Sequence, residues 1–287
     1  MVTSEIAPPK SGDPDRVAAH ARGLVGYVDA VNVTDNPRAS AHMSAVAGGA
    51  TVSRLGIDPI VQMTCRDRNR LALAADLLGA WSLGARAMLA LSGDRLSVGE
   101  EVGAVSVDDL SVIELVSLAA ELRDRGTLFD ERVDAPPRLL IGVADAPLAS
   151  PYEPARLEAK IDAGADFVQT QIAYDLDALG EWAETVRARG ILDRASVIVG
   201  LTPLRSAKTA RFMNENLYGV TVPGSVIDAL DEAGPDAEAV GVELAIHLVR
   251  GLRSVEGIAG VHLMAMGRDE VVRRVVEGAG LFPRPIV

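Results

Sequence analysis

The stretch from Asp166 to Thr202, DFVQTQIAYDLDALGEWAETVRARGILDRASVIVGLT, decides the fold. Two short apolar runs, Asp166–Ile172 and Ala195–Thr202, flank a longer amphipathic segment, Asp175–Arg189. Apolar runs of about four to eight residues between polar boundaries are typical of buried parallel strands, and the longer segment has the spacing of a helix. The stretch therefore predicts a strand–helix–strand unit of a parallel sheet.

The same alternation runs along the rest of the chain. The eight apolar runs are Val2–Ala7, Val28–Thr34, Pro59–Cys65, Arg86–Ser92, Arg138–Ala144, Asp166–Ile172, Ala195–Thr202 and Val261–Met266. The helix-like segments between them include Arg70–Leu83, Val107–Asp124, Pro154–Ala163 and Asp175–Arg189. Eight strand–helix units predict an α/β fold, the (β/α)8 or TIM barrel. An open doubly wound sheet is the alternative, but no G-x-G-x-x-G motif follows any of the strands.

The segment Asn216–Arg253 is longer than one connection requires. It predicts two extra helices before the last strand, Gly224–Glu232 and Ala237–Arg253, separated by Gly234-Pro235. Because no long flexible linker interrupts the chain, we expect residues 1–287 to form one barrel domain.

Composition narrows the function classes. The chain of 287 residues has a formal net charge of −12, which repels a phosphate backbone and argues against nucleic-acid binding. A single cysteine, Cys65, allows no internal disulfide, and the four histidines show no metal-ligand spacing. No signal peptide and no membrane-spanning run are visible. We expect a cytoplasmic protein without a metal or a membrane partner. The sequence is compatible with a homo-oligomer.

Polar residues follow several of the predicted strands, where a barrel carries its active site. Glu5 lies inside an apolar strand, and a buried carboxylate is costly unless it is paired or protonated. Gln62 and Gln171 are amides in strands, so they need hydrogen-bond partners that a polar ligand would supply. Asp94 ends the fourth strand, and we favour a functional role over simple strand termination. Tyr174 and Arg268 follow the sixth and eighth strands.

Other polar residues at these strand ends have structural interpretations. Asp35 and Asp175 fit helix N-caps about as well as ligand contacts. Arg66-Asp67-Arg68 is more typical of a salt-bridge cluster in a loop than of a ligand site. From the residues alone, the pattern indicates a barrel enzyme with two carboxylates and two amides at its mouth.

The same positions carry a family resemblance over nearly the whole chain. Seven motifs occur in order: SEIAPPK (4–10), VNVTDNPRA (31–39), PIVQMTCRDRNR (59–70), AMLALSGD (87–94), KIDAGADFVQTQIAYD (160–175), VIVGLTPLRS (197–206) and GVHLMAMGR (260–268). Together they resemble the methylenetetrahydrofolate reductase family, in the short bacterial form without a regulatory extension. The resemblance implies an enzyme of one-carbon metabolism that transfers a hydride from NADH or NADPH, through a bound flavin, to 5,10-methylenetetrahydrofolate, giving 5-methyltetrahydrofolate.

The resemblance also assigns roles to individual residues. Glu5 matches the acid that protonates N10 of the folate, and Asp94 matches the aspartate between flavin and pterin. Gln171 and Arg268 match substrate contacts, and Tyr174 is expected beside them. The residues expected at the flavin, FAD in most members, are Thr34, Gln62, Ser92, Gly93, Asp94 and Lys160.

Several flavin positions depart from the family pattern. Gln62 stands where histidine is usual, Ser92 where arginine is usual, and Ala159 where a second basic residue is common. Val143 or Ala144 stands where an aromatic residue is expected over the flavin. These departures leave FMN, weakly held FAD and direct hydride transfer from the nicotinamide as alternatives. A folate-binding subunit of a methyl-transfer complex, without reductase activity of its own, is the alternative from another class. A barrel lyase with Lys160 as a Schiff base is disfavoured, because Lys160 falls within a predicted helix.

Overall fold

The fold is a closed barrel of eight parallel strands within the residues that the computed structural model describes, 1–99 and 103–284. Around the barrel the strands follow the order β1-β10-β9-β8-β7-β4-β3-β2. Their bounds are β1 Val2–Ile6, β2 Ala30–Val33, β3 Asp58–Thr64, β4 Ala87–Leu91, β7 Leu140–Asp145, β8 Phe167–Ile172, β9 Ser196–Leu201 and β10 Ile258–Leu263. A separate hairpin pairs β5 (Thr127–Leu128) with β6 (Glu131–Arg132). The barrel prediction is confirmed, and the open sheet is wrong because β1 pairs with β10.

Helices cover the outside of the barrel. They are α1 Pro14–Leu24, α2 Ala45–Ser53, α3 Arg70–Ser82, α4 Val112–Arg125, α5 Pro154–Asp162, α6 Leu176–Arg187, α7 Ala207–Asn216, α8 Gly224–Ala233, α9 Ala237–Gly251 and α10 Asp269–Gly278. Helices α8 and α9 lie between β9 and β10, as predicted. None of these helices is long and apolar enough to cross a membrane. That all of residues 1–287 form one domain stays a prediction, because 100–102 and 285–287 lie outside the described residues.

Two elements begin at least three residues away from their predicted start. Helix α4 begins at Val112 and not at Val107, because Ser111 caps it: the Ser111 hydroxyl accepts from the Glu114 N–H, and the Glu114 carboxylate accepts from the Ser111 N–H. Strand β10 begins at Ile258, three residues before the predicted start. The sequence pattern missed this start because glycine is uncommon inside strands. Glycine is required at position 260, since a Cβ there would lie 2.2 Å from the Met1 carbonyl oxygen.

The barrel interior is layered. Alternate residues of each strand face inward, as the period of a strand requires. One layer is apolar and packs Ala30, Ile60, Leu89, Phe167 and Ile198 together. Towards the carboxyl ends of the strands, polar residues replace these apolar side chains. The fold thus closes one end of the barrel and leaves a cavity at the other.

Candidate active site

A cavity of about 550 Å³ opens at the carboxyl-terminal ends of the barrel strands. Its wall includes six residues predicted from the sequence: Glu5, Gln62, Ser92, Asp94, Lys160 and Gln171. They come from β1, β3, β8, α5 and the turn after β4, so they are distant in sequence and meet because parallel strands end at one rim. The cavity is the candidate active site.

The floor of this cavity is a hydrogen-bonded layer of buried side chains. The amides of Asn32 and Gln169 pair reciprocally, at 2.7 and 3.1 Å. Gln169 Nε2 also donates to Thr3 Oγ1 at 3.5 Å, and Thr3 Oγ1 lies 2.8 Å from His262 Nδ1. All four residues are buried. Because both amides and the Thr3 hydroxyl have hydrogen-bond partners, the layer is rigid and supports the residues above it.

Glu5 stands above this floor, half-buried, on the same face of β1 as Thr3. The nearest ionisable partner of its carboxylate is His262, whose Nε2 lies 3.8 Å from Glu5 Oε2. This separation is an ion-pair distance and longer than a hydrogen bond. The carboxyl group therefore reaches both the cavity and a buried imidazole, which suits it to hold and release a proton.

Asp94 is held at the rim by a strained loop. Its Oδ2 accepts from the backbone N–H of Arg38 at 2.7 Å. The loop has positive φ at Asn36, Arg38 and Ala39, a conformation that costs energy for residues other than glycine. Arg66 adds a hydrogen bond from Nη1 to the Asp94 carbonyl at 3.1 Å. These contacts fix the carboxylate at the cavity edge, and its functional role stays a prediction.

The loop after β3 forms the salt-bridge cluster predicted from the sequence. Arg66 donates from Nε and Nη2 to the Asp67 carboxylate, each at 2.6 Å. Burial favours a higher pKa for Asp67, but hydrogen bonds from Arg66 and Asn36 outweigh it and lower the pKa. Asp35 pairs with Arg68 and accepts from the Thr64 N–H, so it is not the helix N-cap that its position suggested. Asp175 is such a cap, accepting from two N–H groups at the start of α6.

The wall formed by β7 and α5 carries a half-buried cation beside a half-buried acid. Lys160 Nζ donates to the Ala144 carbonyl at 2.6 Å, and burial lowers the pKa of the lysine. Asp145 accepts from the Tyr152 hydroxyl at 2.9 Å and from Trp182 Nε1 at 3.2 Å. Burial raises the pKa of Asp145, while the charge of Lys160 opposes that shift. Asp145 therefore offsets part of the positive charge that Lys160 offers to an anion.

Gln171 and Tyr218 form the neighbouring part of the wall, beside β7. Gln171 Nε2 donates to the Tyr218 carbonyl at 3.4 Å, and its Oε1 accepts from the Ile172 N–H at 3.0 Å. The next residue, Gly219, has φ +71°, and a Cβ there would lie 2.8 Å from Ala146 Cβ. Glycine thus lets this loop close against the loop after β7. The contact leaves Tyr218 on the cavity wall and 71% exposed.

Four predicted site residues lie outside the cavity lining. Tyr174 is buried against α7: its hydroxyl donates to the Thr202 carbonyl at 2.7 Å, and burial raises its pKa. Arg268 donates to Glu238 at 3.0 Å and to the Pro203 carbonyl at 3.1 Å. Gly93 lies in the turn that carries Asp94, and Thr34 is buried at the end of β2. Their ligand roles stay predictions, and Tyr174 and Arg268 have structural partners instead.

Four buried side-chain atoms of the described residues have no hydrogen-bond partner. They are Thr34 Oγ1, Ser40 Oγ, Arg68 Nε and Thr202 Oγ1. All four belong to segments that follow the carboxyl ends of strands. A buried polar atom without a partner is costly, so these atoms mark where the fold leaves capacity for other groups to bind.

Several residues of the site were not predicted from the sequence. His262 lies within an apolar run, VHLMAM, and its isolated imidazole gave no ligand spacing. Asn32 and Gln169 also lie within apolar runs, while Asp145 and Tyr218 lie outside the predicted strands. The available signal was the two-residue period: a polar residue at an inward position of a strand, between apolar neighbours, belongs to the barrel interior.

Comparisons with known proteins agree with one another. A family model described as methylenetetrahydrofolate reductase matches residues 1–280. A probable methylenetetrahydrofolate reductase (NADPH) of Caenorhabditis elegans is 27% identical over 237 residues, 79% of this chain and 33% of the relative. A 5,10-methylenetetrahydrofolate reductase of Pectobacterium carotovorum is 25% identical over 293 residues, 98% of this chain and 91% of the relative. The chain thus spans about a third of the nematode relative.

Solved structures support the fold. A Clostridium thermocellum protein described as binding two copies of 5-methyl-5,6,7,8-tetrahydrofolic acid superposes with a TM-score of 0.62 at 15% identity. The match covers 98% of this chain and 94% of that one. At this identity the likeness shows a shared barrel architecture.

Proposed function

The chain belongs to the methylenetetrahydrofolate reductase family, and from this premise we propose that it reduces 5,10-methylenetetrahydrofolate to 5-methyltetrahydrofolate with a hydride from NADH or NADPH. The observation that carries the proposal is the Glu5 carboxyl group, half-buried inside a cavity at the mouth of the barrel and backed by a histidine. Opening the five-membered ring of the folate requires a proton at N10, and we assign the donation of that proton to Glu5.

The rim supplies the complementary charge. Proton transfer to N10 breaks the bond between N10 and the methylene carbon, and the N5 lone pair forms a cationic iminium that accepts the hydride. A fixed carboxylate stabilises a developing positive charge without reorganisation. Asp94, which the Arg38 N–H holds at the cavity edge, fits that role. Gln171 offers an amide on the wall to orient the pterin ring.

A flavin fits this cavity better at its ring than at its phosphates. Gln62, Ser92 and Asp94 are polar groups on one wall, and the partnerless Thr34 hydroxyl lies buried at the end of β2. The cations that line the cavity are Lys160 and Arg156, against four carboxylates: Glu5, Asp94, Asp145 and Glu153. The residues that would hold a flavin are those expected from the sequence: Thr34, Gln62, Ser92, Gly93, Asp94 and Lys160. A bound flavin would supply a two-electron carrier between the nicotinamide and the folate.

We expect this protein to bind FAD more weakly than is usual in the family. A diphosphate needs charge-assisted hydrogen bonds, and each one that is lost weakens binding about ten- to a hundredfold. Lys160 already donates a hydrogen bond to the Ala144 carbonyl, and the charge of Asp145 acts on it. Both features weaken its attraction for a phosphate. The same observation favours, as a second candidate, a reductase that takes the hydride directly from the nicotinamide. A folate-binding subunit of a methyl-transfer complex is disfavoured by the retained acid, Glu5.

The test combines a spectrum with an assay. The purified protein is examined for flavin absorption, titrated with FAD and FMN by flavin fluorescence, and assayed anaerobically with NADH or NADPH and methylenetetrahydrofolate. We expect folate reduction together with weak flavin binding. Nanomolar FAD affinity would contradict the phosphate argument, and reduction without either flavin would favour direct transfer. Folate binding without any reduction would support the binding subunit and overturn the proposed reductase.

A further inference from the structure

His262 has two partners that place it directly beneath the proposed acid. Its side chain is buried on β10, and Thr3 is its register partner on β1. Nδ1 lies 2.8 Å from Thr3 Oγ1, and Nε2 lies 3.8 Å from Glu5 Oε2. Because Thr3 and Glu5 are two residues apart on one strand, they point to the same face. The imidazole therefore lies between a fixed hydroxyl and the carboxylate.

The hydrogen bonds of the floor favour one tautomer of the His262 imidazole. Gln169 Nε2 donates to Thr3 Oγ1, so the Thr3 hydroxyl proton is free to point at His262 Nδ1. The orientation of the Gln169 amide is coupled to Asn32 through two hydrogen bonds. Nδ1 then accepts, and a neutral imidazole carries its proton on Nε2, facing Glu5.

We propose that His262 is a positioning residue for Glu5, and that Thr3, Gln169 and Asn32 fix its tautomer. The proposal rests on the proposed function of Glu5 as the acid. When the O–H bond of Glu5 breaks, its proton forms the N–H bond at N10, and the electron pair of the broken carbon–N10 bond stays on N10. The Nε2–H of His262 then turns to the Glu5 carboxylate and stabilises the new anion. The imidazole stays neutral throughout.

Glu5 is the charged group that faces the His262 imidazole. From β1 it meets Thr3 and Glu5, and from β8 the neutral amide of Gln169 reaches it through Thr3. Its register partner on β9 is Gly200, which has no side chain. The other charged groups of the cavity, Asp94, Asp145, Lys160, Glu153 and Arg156, stand on its walls. Among the described residues, Glu5 is the carboxylate within 4 Å of His262.

Two substitutions separate the two nitrogens. In His262→Gln the side-chain amide keeps a donor near the Nε2 position, whereas in His262→Asn the amide reaches only the Nδ1 position. We expect His262→Asn to lower kcat about ten- to a hundredfold, the effect of losing one charge-assisted hydrogen bond, with little change in the KM for folate. His262→Gln should retain kcat within about threefold of the wild type, on the same reasoning. His247→Gln, an exposed histidine on α9, is the control.

The pH profile gives a readout that a structural role would not move. Losing a donor to the carboxylate favours its protonated form. The limb of the kcat profile that depends on the acid should therefore shift to higher pH in His262→Asn and stay in place in His262→Gln. Melting temperatures of both variants show whether they are folded.

A nitrogen-15 NMR spectrum of the imidazole tests the tautomer without any assay. We expect Nε2–H in the wild type and loss of this single tautomer in Thr3→Val, which removes the hydroxyl at nearly constant volume. An Nδ1–H tautomer, or a folded His262→Asn protein with wild-type kcat and pH profile, would overturn the inference and leave the proposed function intact. A wild-type protein that reduces no methylenetetrahydrofolate would instead remove the proposed function, and with it the role of Glu5 that His262 serves.

Discussion

At the amino-terminal end of the barrel, two half-buried carboxylates are paired with arginines, whereas four buried polar atoms of the described residues at the carboxyl-terminal end lack partners. Asp29 and Asp166 each directly precede a strand, and each accepts from a backbone N–H of a neighbouring strand and from an arginine, Arg284 or Arg123. At the other end Thr34, Ser40, Arg68 and Thr202 keep partnerless atoms. Polar groups close the barrel at one end, and at the other end we expect the partnerless atoms to contact bound molecules.

The largest effect should come from the carboxyl-terminal end. Glu5→Gln keeps the shape of the side chain but removes the proton donor, so reduction of methylenetetrahydrofolate should fall by about two to four orders of magnitude. Folate binding and the melting temperature should change little. Steady-state and single-turnover assays measure the loss. Near-normal turnover in the folded variant would remove Glu5 from the mechanism.

Gln171→Ala should weaken folate binding by about 1–3 kcal/mol, because the polar atoms of the buried pterin lose a partner. The measurement is a folate titration by calorimetry. Tyr27→Phe is the control: its hydroxyl donates to the Glu277 carboxylate at 2.9 Å, outside the cavity lining, so its loss should leave folate affinity unchanged. Equal folate affinity in Gln171→Ala and the wild type would exclude Gln171 from the pterin site.

The amino-terminal end should respond through stability. Asp29→Asn removes the charge that Arg284 and the Val2 N–H bind, and should cost about 1 kcal/mol of unfolding free energy after solvent screening. Burial opposes ionisation of Asp29, but the hydrogen bonds from Arg284 and Val2 hold its pKa below the ordinary value of 3.8. A lowered pKa stabilises the fold above pH 3.8, and this contribution is lost as the pH falls through the folded-state pKa.

Urea unfolding of the wild type and Asp29→Asn at pH 7 and below pH 3.8 checks this expectation. The difference between the two proteins should be present at pH 7 and shrink at acidic pH, while kcat at pH 7 is unchanged. Asp193→Asn, an exposed carboxylate, serves as the control. A loss of activity without a loss of stability would contradict the division between the two ends.

The smallest expected effect is a difference in unfolding free energy between variants of two threonines at the carboxyl-terminal end, Thr34 and Thr64. Thr34→Val removes a buried hydroxyl that has no partner, so the unfolding free energy should change by less than about 0.5 kcal/mol or rise. Thr64→Val removes a hydroxyl that donates to Asp35 at 3.0 Å and should cost about 1 kcal/mol. If Thr34 contacts the cofactor, its variant should also bind flavin more weakly. Equal destabilisation of both variants would show that the Thr34 hydroxyl is satisfied.

Sequence reasoning reached the barrel because a parallel strand buried on both faces leaves an apolar run of defined length, and eight such runs alternate with helices. It also found the acids and amides of the rim, since Glu5, Gln62 and Gln171 interrupt those runs. It did not find that His262 lies under Glu5, because 257 residues separate them and only the closure of β1 against β10 brings them together. Asp145 was missed because its effect on Lys160 depends on burial, which no local pattern reports.

The pairing of β1 with β10 has a consequence for how the protein folds. The bond between Thr3 and His262 closes a loop of 259 residues, among the least local contacts that this chain can form. A contact between distant residues has a large entropic cost of loop closure, so we expect it to form late in folding. Until β10 pairs with it, β1 is an open sheet edge. We therefore expect Glu5 and His262 to come together only at the last step of barrel closure. Recovered activity during refolding would report that step, after most of the helical signal has already returned.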